Sequence, residues 1–335
     1  MEQSQWWKYV TRMRYSFQET DTYGFRTAEI SSGHKNELYL KSKASSCLTM
    51  QGEYGSDGLF HCIVGGLRYD DFDKAGKISI GKISKILEGV RIARITQGIT
   101  SQNIDFGLSV LYVRSHYFKV YPSFYSLSQT SSLKFTTFTS HIGRTSFCVD
   151  ANAFDLTTGE LLATCSTHSV FVSMETRRPT PIPPEMAQMS QVIPTEDKRP
   201  VSGPDFPAQP SACFTQKRMV FPGDTDANEH LNQAVFIRFC FDCASGAALE
   251  GKLPSFVHDI IFSDAKTVWV RYVREAEVGE ELTLSCWEDG DQKQTVWVEI
   301  YQESQVIGQC QIQFYDDELN NSTSKSEEAR AISKL

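Results

Sequence analysis

The chain has 335 residues, enough for about two domains of ordinary size. With 40% hydrophobic and 22% charged residues, either half can bury a core, which excludes extended disorder and collagen-like order. A formal charge of −8 argues against nucleic acid as an electrostatic partner, and no apolar run approaches the roughly 18 residues that indicate a membrane-spanning helix.

In chain order, the opening MEQSQWWKYVTRMRYSF lacks the basic flank and apolar run of a secretory signal. It is amphipathic and aromatic, and residues 1–55 read as an N-terminal extension that covers the body of the protein. Asp71-Phe72-Asp73 then precedes an apolar series at helical spacing, Ile80, Ile83, Leu87 and Val90, with Lys82, Lys85 and Glu88 between. The β-rich runs LKFTTFTSHI, RTSFCVDANAFD and LLATCSTHSVFV follow, the last two joined by a turn at Asp155–Glu160.

Nine of the twelve prolines fall between Pro179 and Pro210. That density predicts an extended connection over 179–212, without helix or central strand. Beyond it the pattern repeats. Asp224-Thr225-Asp226 stands 153 residues after Asp71-Phe72-Asp73. The run AVFIRFCFDCA is apolar on most sides and must be a helix wrapped by other structure. TVWVRYVREA, ELTLSCWED, QTVWVEIYQE and QVIGQCQIQFY supply strands, with turns at Val278–Glu280 and Glu288–Asp291. Each unit therefore reads as strand, long buried helix, then antiparallel meander, an α+β arrangement in which the sheet wraps the helix.

The nine cysteines, residues 47, 62, 148, 165, 213, 240, 243, 286 and 310, are scattered, and several sit inside apolar strands. They indicate a reducing compartment. Cys240 and Cys243 form a C-x-x-C without a second pair at zinc spacing, so two packed helical thiols are expected and no metal site is assigned. The chain ends Ser333-Lys334-Leu335 after a polar tail over 319–335, and Ser-Lys-Leu at a free C-terminus is a peroxisomal address read by an import receptor.

The segment Phe221-Pro222-Gly223-Asp224-Thr225-Asp226-Ala227-Asn228-Glu229-His230-Leu231-Asn232-Gln233-Ala234, the run Val270–Ala276 and GELLATCSTHSVFVSMETRRPTPIPPEM together resemble the hotdog fold of thioesterases and dehydratases. The resemblance is strongest to plant-type acyl-acyl-carrier-protein thioesterases and covers about residues 60–318. It implies two tandem hotdog domains, a first over 56–178 and a second over 213–318, each an antiparallel sheet wrapped around a long central helix.

It also implies thioester hydrolysis, with roles for Glu275, Asp226, Asn228 and His230. Asp226, Asn228 and His230 alternate along the chain, and in an extended lead-in they would face one cleft. A helix starting near His230 would offer free N–H groups to a developing oxyanion. On this reading Asp226 or Glu275 activates water, His230 orients it or shuttles its proton, and Asn228 donates a hydrogen bond. Asn232, Arg238, Arg271 and Arg274 are substrate-binding candidates, the arginines for coenzyme A phosphates. Alternatively, Asp226 is a helix cap, worth about 1 kcal/mol.

Two departures from the plant pattern stand out: Ala276 occupies the position of the family's cysteine, and Glu229 that of a common glycine. The first copy has Asp73 but Ala75, Lys77 and Ser79 at the following site positions, and Val120 is placed opposite Glu275. It should therefore lack proton chemistry and serve as scaffold and acyl-pocket wall, with Asp73 kept as a helix cap.

The function expected is hydrolysis of acyl-CoA, fatty acyl-CoA in peroxisomes, with no cofactor beyond the coenzyme A of the substrate. A hotdog enoyl-CoA hydratase is the alternative enzyme; its Asp-x-Asn-Pro-x-His pattern differs here by the absent proline and by His230 arriving one residue early. A non-catalytic acyl-CoA-binding protein and an aromatic acyl hydrolase also stay open. No nucleic acid or membrane span is expected, and two joined units make either a monomer or a further homodimer reasonable.

Overall fold

Short, alternating, β-branched and aromatic runs lay down eleven strands in the computed structural model, which describes residues 49–102, 109–189, 192–196, 198–226 and 228–316. The strands are β1 (Thr49–Tyr54), β2 (Phe60–Gly65), β3 (Ser109–Val120), β4 (Leu133–Ile142), β5 (Ser146–Asp155), β6 (Leu161–Ser173), β7 (Phe214–Met219), β8 (Ala265–Tyr272), β9 (Glu281–Glu288), β10 (Thr295–Gln302) and β11 (Gln305–Phe314). Among the described residues three helices accompany them: α1 (Ile80–Gln102), α2 (Pro184–Met189) and α3 (Gln233–Leu249). The WWKYV segment and the terminal Ser333-Lys334-Leu335 lie outside the described residues.

All eleven strands join one sheet in the order β1-β2-β4-β5-β6-β3-β8-β11-β10-β9-β7, with every pairing antiparallel. The same element order occurs twice. A strand (β2 or β7) leads through a short 3-10 turn to a long helix (α1 or α3), then to a strand at the seam (β3 or β8) and a three-strand meander. The seam is the β3–β8 ladder, which pairs Ser115 with Arg271 through to Lys119 with Thr267.

The 153-residue offset holds at atomic detail. Asp71 Oδ2 accepts from Arg68 N–H, and Asp224 Oδ2 accepts from Phe221 N–H, each closing its 3-10 turn. Bridges Phe72–Ile78 and Thr225–Leu231 follow, and α1 and α3 then start at Ile80 and Gln233. Ile80, Ile83, Leu87 and Val90 are all buried, as their helical spacing predicts. On α3, Phe236, Ile237, Phe239, Cys240, Cys243, Ala244, Ala247 and Ala248 are buried, so this helix is enclosed on most sides. Cys240 and Cys243 are packed thiols: burial, reinforced by neighbouring sulfurs, pushes Cys240 and the facing Cys286 well above the ordinary thiol range.

The proline-rich connection departs from expectation in one place. It holds a six-residue helix, α2, because Pro184 occupies the first helical position, where its missing N–H costs nothing and its ring clashes with no preceding turn. Its other described residues form no helix and lie against the sheet. Arg199 reaches Asp150 at 2.7 Å, and Phe206 packs edge-on against Trp287 and Trp297. Among the described residues no helix is long and apolar enough to cross a membrane.

Candidate active site

The residues preceding α3 form a tight loop, not the extended lead-in expected from the alternation. Asp226 N–H donates to His230 O at 2.9 Å and Glu229 N–H to Asp226 O at 3.0 Å. Asp226 Oδ1 accepts from Asn228 N–H at 2.8 Å, and Asn228 Nδ2 lies 3.5 Å from Asp226 Oδ2. The turn requires Glu229 at φ +67°, in the left-handed region. The first copy builds the same loop: Asp73 Oδ1 accepts from Ala75 and Lys77 N–H, and Gly76 sits at φ +72°.

Neither aspartate caps a helix. The caps are Asn232, whose Oδ1 accepts from Ala234 N–H at 2.9 Å, and Ser79, whose Oγ accepts from Lys82 N–H at 3.2 Å. A side chain at Asp226 or Asp73 is spent on its own loop, because the helix begins seven residues later. His230 correspondingly stands three residues before α3, and its loop is pinned to the segment after β8 by Leu231 N–H donating to Ala276 O at 2.7 Å and by the His230–Glu277 bridge. That pinning carries Glu275 to the loop: His230 Nε2 and Glu275 Oε2 are 3.5 Å apart.

Glu275 also faces two residues from the first half. Arg177 Nη2 is 3.7 Å from Glu275 Oε2, while its Nη1 donates to Tyr112 Oη at 2.8 Å. Burial, and then the hydrogen bond and charge of Glu275, push the Tyr112 phenol up to about 12, so Tyr112 stays a neutral hydroxyl. The cluster is thus composite: His230 and Glu275 from the second half, Tyr112 from the start of β3 and Arg177 from the turn after β6 in the first. Sequence reasoning missed both partners, although Arg177 lies within the METRRP stretch that carried the resemblance. It missed Gln233 as well, whose Oε1 is enclosed and unpartnered at the first residue of α3. The Gln233 and Val235 N–H groups have no partner among the described residues, whereas that of Ala234 is taken by Asn232.

The other candidates are placed as follows. Asn232 is buried, and its Nδ2 donates to Glu88 of α1 at 3.0 Å, so its amide is engaged on both sides. Arg238 pairs with Asp224 at 2.6 Å and stacks on Phe239. Arg271 is exposed on β8, and Arg274 donates to the Gln305 side chain. In the first copy the strand ladder aligns Tyr121 N–H, bonded to Leu162 O, with Val273 N–H, bonded to Ile307 O. Ser123, not Val120, therefore corresponds to Glu275. Lys77 takes the place of His230 and is held by Asp264 at 2.5 Å. A cavity of about 350 Å³ opens beside this first loop, between Lys74, Phe262 and the C-terminal end of α3 at Leu249.

Among solved structures, the chain is similar to a 12:0-ACP thioesterase from Umbellularia californica, at 15% identity and a TM-score of 0.63, over 77% of this chain and 97% of that one. It is similar also to an acyl-ACP thioesterase from Bacteroides thetaiotaomicron, at 16% identity and a TM-score of 0.60, over 77% of this chain and 98% of that one. The chain has the hotdog fold. No protein-family model and no curated protein sequence matches the chain. In hotdog terms the His230–Glu275 pair lies where a long central helix begins, at the junction with the other half of the sheet.

Proposed function

We propose that the chain is a tandem hotdog thioesterase that hydrolyses acyl-CoA to the free acid and coenzyme A. The observation that carries this reading is the approach of His230 to Glu275 at 3.5 Å beside the open N–H groups that begin α3. A carbonyl placed at that helix start gains N–H donors and a positive dipole end for its developing oxyanion. With its Nε2–H toward Glu275, His230 presents Nδ1 to water. Water attacks the thioester carbon as His230 takes its proton. The tetrahedral intermediate then collapses, the C–S bond breaks, and the imidazolium returns the proton to the leaving thiolate. Glu275 stabilises the imidazolium, and Arg177 and Tyr112 hold Glu275 in place. Asp226 organises the loop and does no proton chemistry. The structures similar in fold are described as acyl-ACP thioesterases, which supports thioester chemistry. Coenzyme A as the carrier, and peroxisomal residence, rest on Ser333-Lys334-Leu335.

A thiol-release assay over an acyl-CoA panel tests the reading. Saturated acyl-CoA should release free thiol, with His230→Ala and Glu275→Gln each lowering kcat by about 10²–10⁴-fold. Asp226→Asn, which keeps an oxygen for Asn228 N–H, should stay within about tenfold of the parent rate. No thiol from any saturated substrate, with hydration of enoyl-CoA instead, would overturn it in favour of a hydratase.

A further inference from the structure

The interiors of the two halves differ in one row of side chains. In the second half, α3 presents Ala244 and Ala247, and the ladder beneath carries Val268, Ile312 and Val296, all buried and apolar. At the same helix and ladder positions of the first half stand Arg91, Arg94, His116, Thr167 and Val149. Arg91 Nη1 donates to Thr167 Oγ1 at 3.1 Å and lies 3.0 Å from His116 Nε2. Arg94 Nη2 donates to Thr139 Oγ1 at 2.8 Å. Thr139, Val149 and Thr167 are ladder neighbours, so the two hydroxyls that hold the guanidinium groups flank Val149.

Arg94 is only 9% exposed and His116 is fully buried, yet among the described residues no carboxylate reaches either arginine at ion-pair distance, the charge of Glu88 acting on Arg91 from further away. Burial lowers the pKa of both guanidinium groups and holds His116 well below its ordinary range, so the imidazole is a neutral acceptor and supplies no countercharge. Buried cations are normally paired, because desolvation without a countercharge is expensive. Among the described residues the Tyr54 hydroxyl also meets the Arg94 guanidinium, and the other guanidinium nitrogens are not among the fully enclosed unpartnered atoms, so they reach accessible space. Ser84 Oγ and Thr137 Oγ1, both buried and unpartnered, lie on the same helix and strand faces.

This polar row is linked to the candidate active site. His116 Nδ1 lies 3.0 Å from Tyr272 Oη, which donates to Gln233 O at the start of α3 at 3.2 Å. Arg91 is therefore three hydrogen bonds from the helix end where the thioester would react. From these observations we infer that Arg91 and Arg94 form a carboxylate-recognition site for the distal end of the acyl group, so that the preferred substrates are acyl thioesters with a second, terminal carboxylate. The inference rests on the thioesterase reading above, and it assigns a substrate class within it.

Two arms test it on the full chain. The first compares thiol release from ω-carboxyacyl-CoA and from methyl-terminated acyl-CoA of equal length. The parent protein should favour the carboxylated series at least about tenfold in kcat/KM, and Arg94→Gln and Arg91→Gln should each erase most of that preference while leaving rates on the methyl-terminated series within about threefold. Equal or slower turnover of the carboxylated series, or a preference that both variants retain, would overturn the site. The second arm needs no catalysis. Octanoic acid should raise the melting temperature of the parent protein where 1-octanol does not, and Arg94→Gln should lose the difference. If no thioester is cleaved but this shift is present, the hydrolysis reading fails and the carboxylate site stands; if thioesters are cleaved without the shift or the preference, the site fails alone. Should Arg94→Gln not fold, Thr139→Val, which frees Arg94 from its strand, serves as the second variant and should weaken the same preference.

Discussion

At the scale of single residues, the loop before each helix separates what side chains do from what the backbone demands. Both loops need a left-handed residue, Gly76 in one copy and Glu229 in the other. Glycine adopts that conformation freely, whereas a residue with a Cβ is strained there by roughly 1 kcal/mol. Glu229→Gly should therefore stabilise the protein by up to about 1 kcal/mol, the relief being partly offset by the entropy of the unfolded glycine. Gly76→Ala should destabilise by a similar amount although nothing lies within 4 Å of the added methyl, so its cost is conformational and not steric. Thermal melts of the two variants, with opposite signs, check the pair. The residues of this loop were readable in advance because Asp226, Asn228 and His230 are local. Tyr112 and Arg177 were not, because they reach Glu275 only after β3 and β8 pair across a separation of more than a hundred residues.

At the scale of elements, the two long helices and most strands were legible, since the apolar spacing of Ile80, Ile83, Leu87 and Val90 and the alternation of LKFTTFTSHI are local signals, whereas the helix starts lay a few residues beyond the aspartates expected to cap them. The strand β1 was not: TMQGEY has no apolar alternation and owes its conformation to its pairing with β2 at the sheet edge. The match of Val120 to Glu275 failed for a related reason, because register is fixed by ladder hydrogen bonds and not by likeness of short segments.

The contacts that join elements also carry a pH dependence. Asp259, 4% exposed, accepts from Lys74 at 2.6 Å and from Ser245 of α3 at 2.5 Å. Burial acts to raise its carboxyl, but the bonds from Lys74, Ser245 and Ile261 N–H outweigh it and hold it below the usual carboxylate range. Because its folded value is depressed, the unfolded chain binds more protons on acidification. The stabilisation is present above the ordinary aspartate value near 4 and is lost as pH falls through the folded value. Asp259→Asn should cost about 1–3 kcal/mol at neutral pH. The gap from the parent protein should narrow as melts are repeated toward pH ~3.

Across the whole molecule, the connection between the halves acts as part of the structure. Arg199 and Asp150, whose side chains are 10% and 8% exposed, meet at 2.7 Å, and Ser140 completes the carboxylate's bonds at 2.8 Å. Removing one partner would strand the other charge in a buried site. Arg199→Ala should therefore lower unfolding free energy by about 3–5 kcal/mol, while Arg199→Met with Asp150→Leu should recover most of the loss. Denaturant titration of the three proteins distinguishes the outcomes. The proline density announced an extended segment, but its course over Trp269, Trp287 and Trp297 depends on a sheet face that exists only once both halves have formed.

The β3–β8 seam, lying within a single polypeptide, has a consequence for how the two sides have diverged. Two identical subunits related by a two-fold axis must line both of their channels alike, so any cation introduced for one ligand appears twice and burdens both. Here the axis relates unlike sequences. One side of the seam carries imidazole and carboxylate with an interior of methyls and thiols, while the other has lysine and serine at those places and holds guanidinium groups at the matching depth. On the function proposed above, covalent fusion would allow a division of labour that a symmetric dimer cannot adopt, with reactivity on one side and selection on the other.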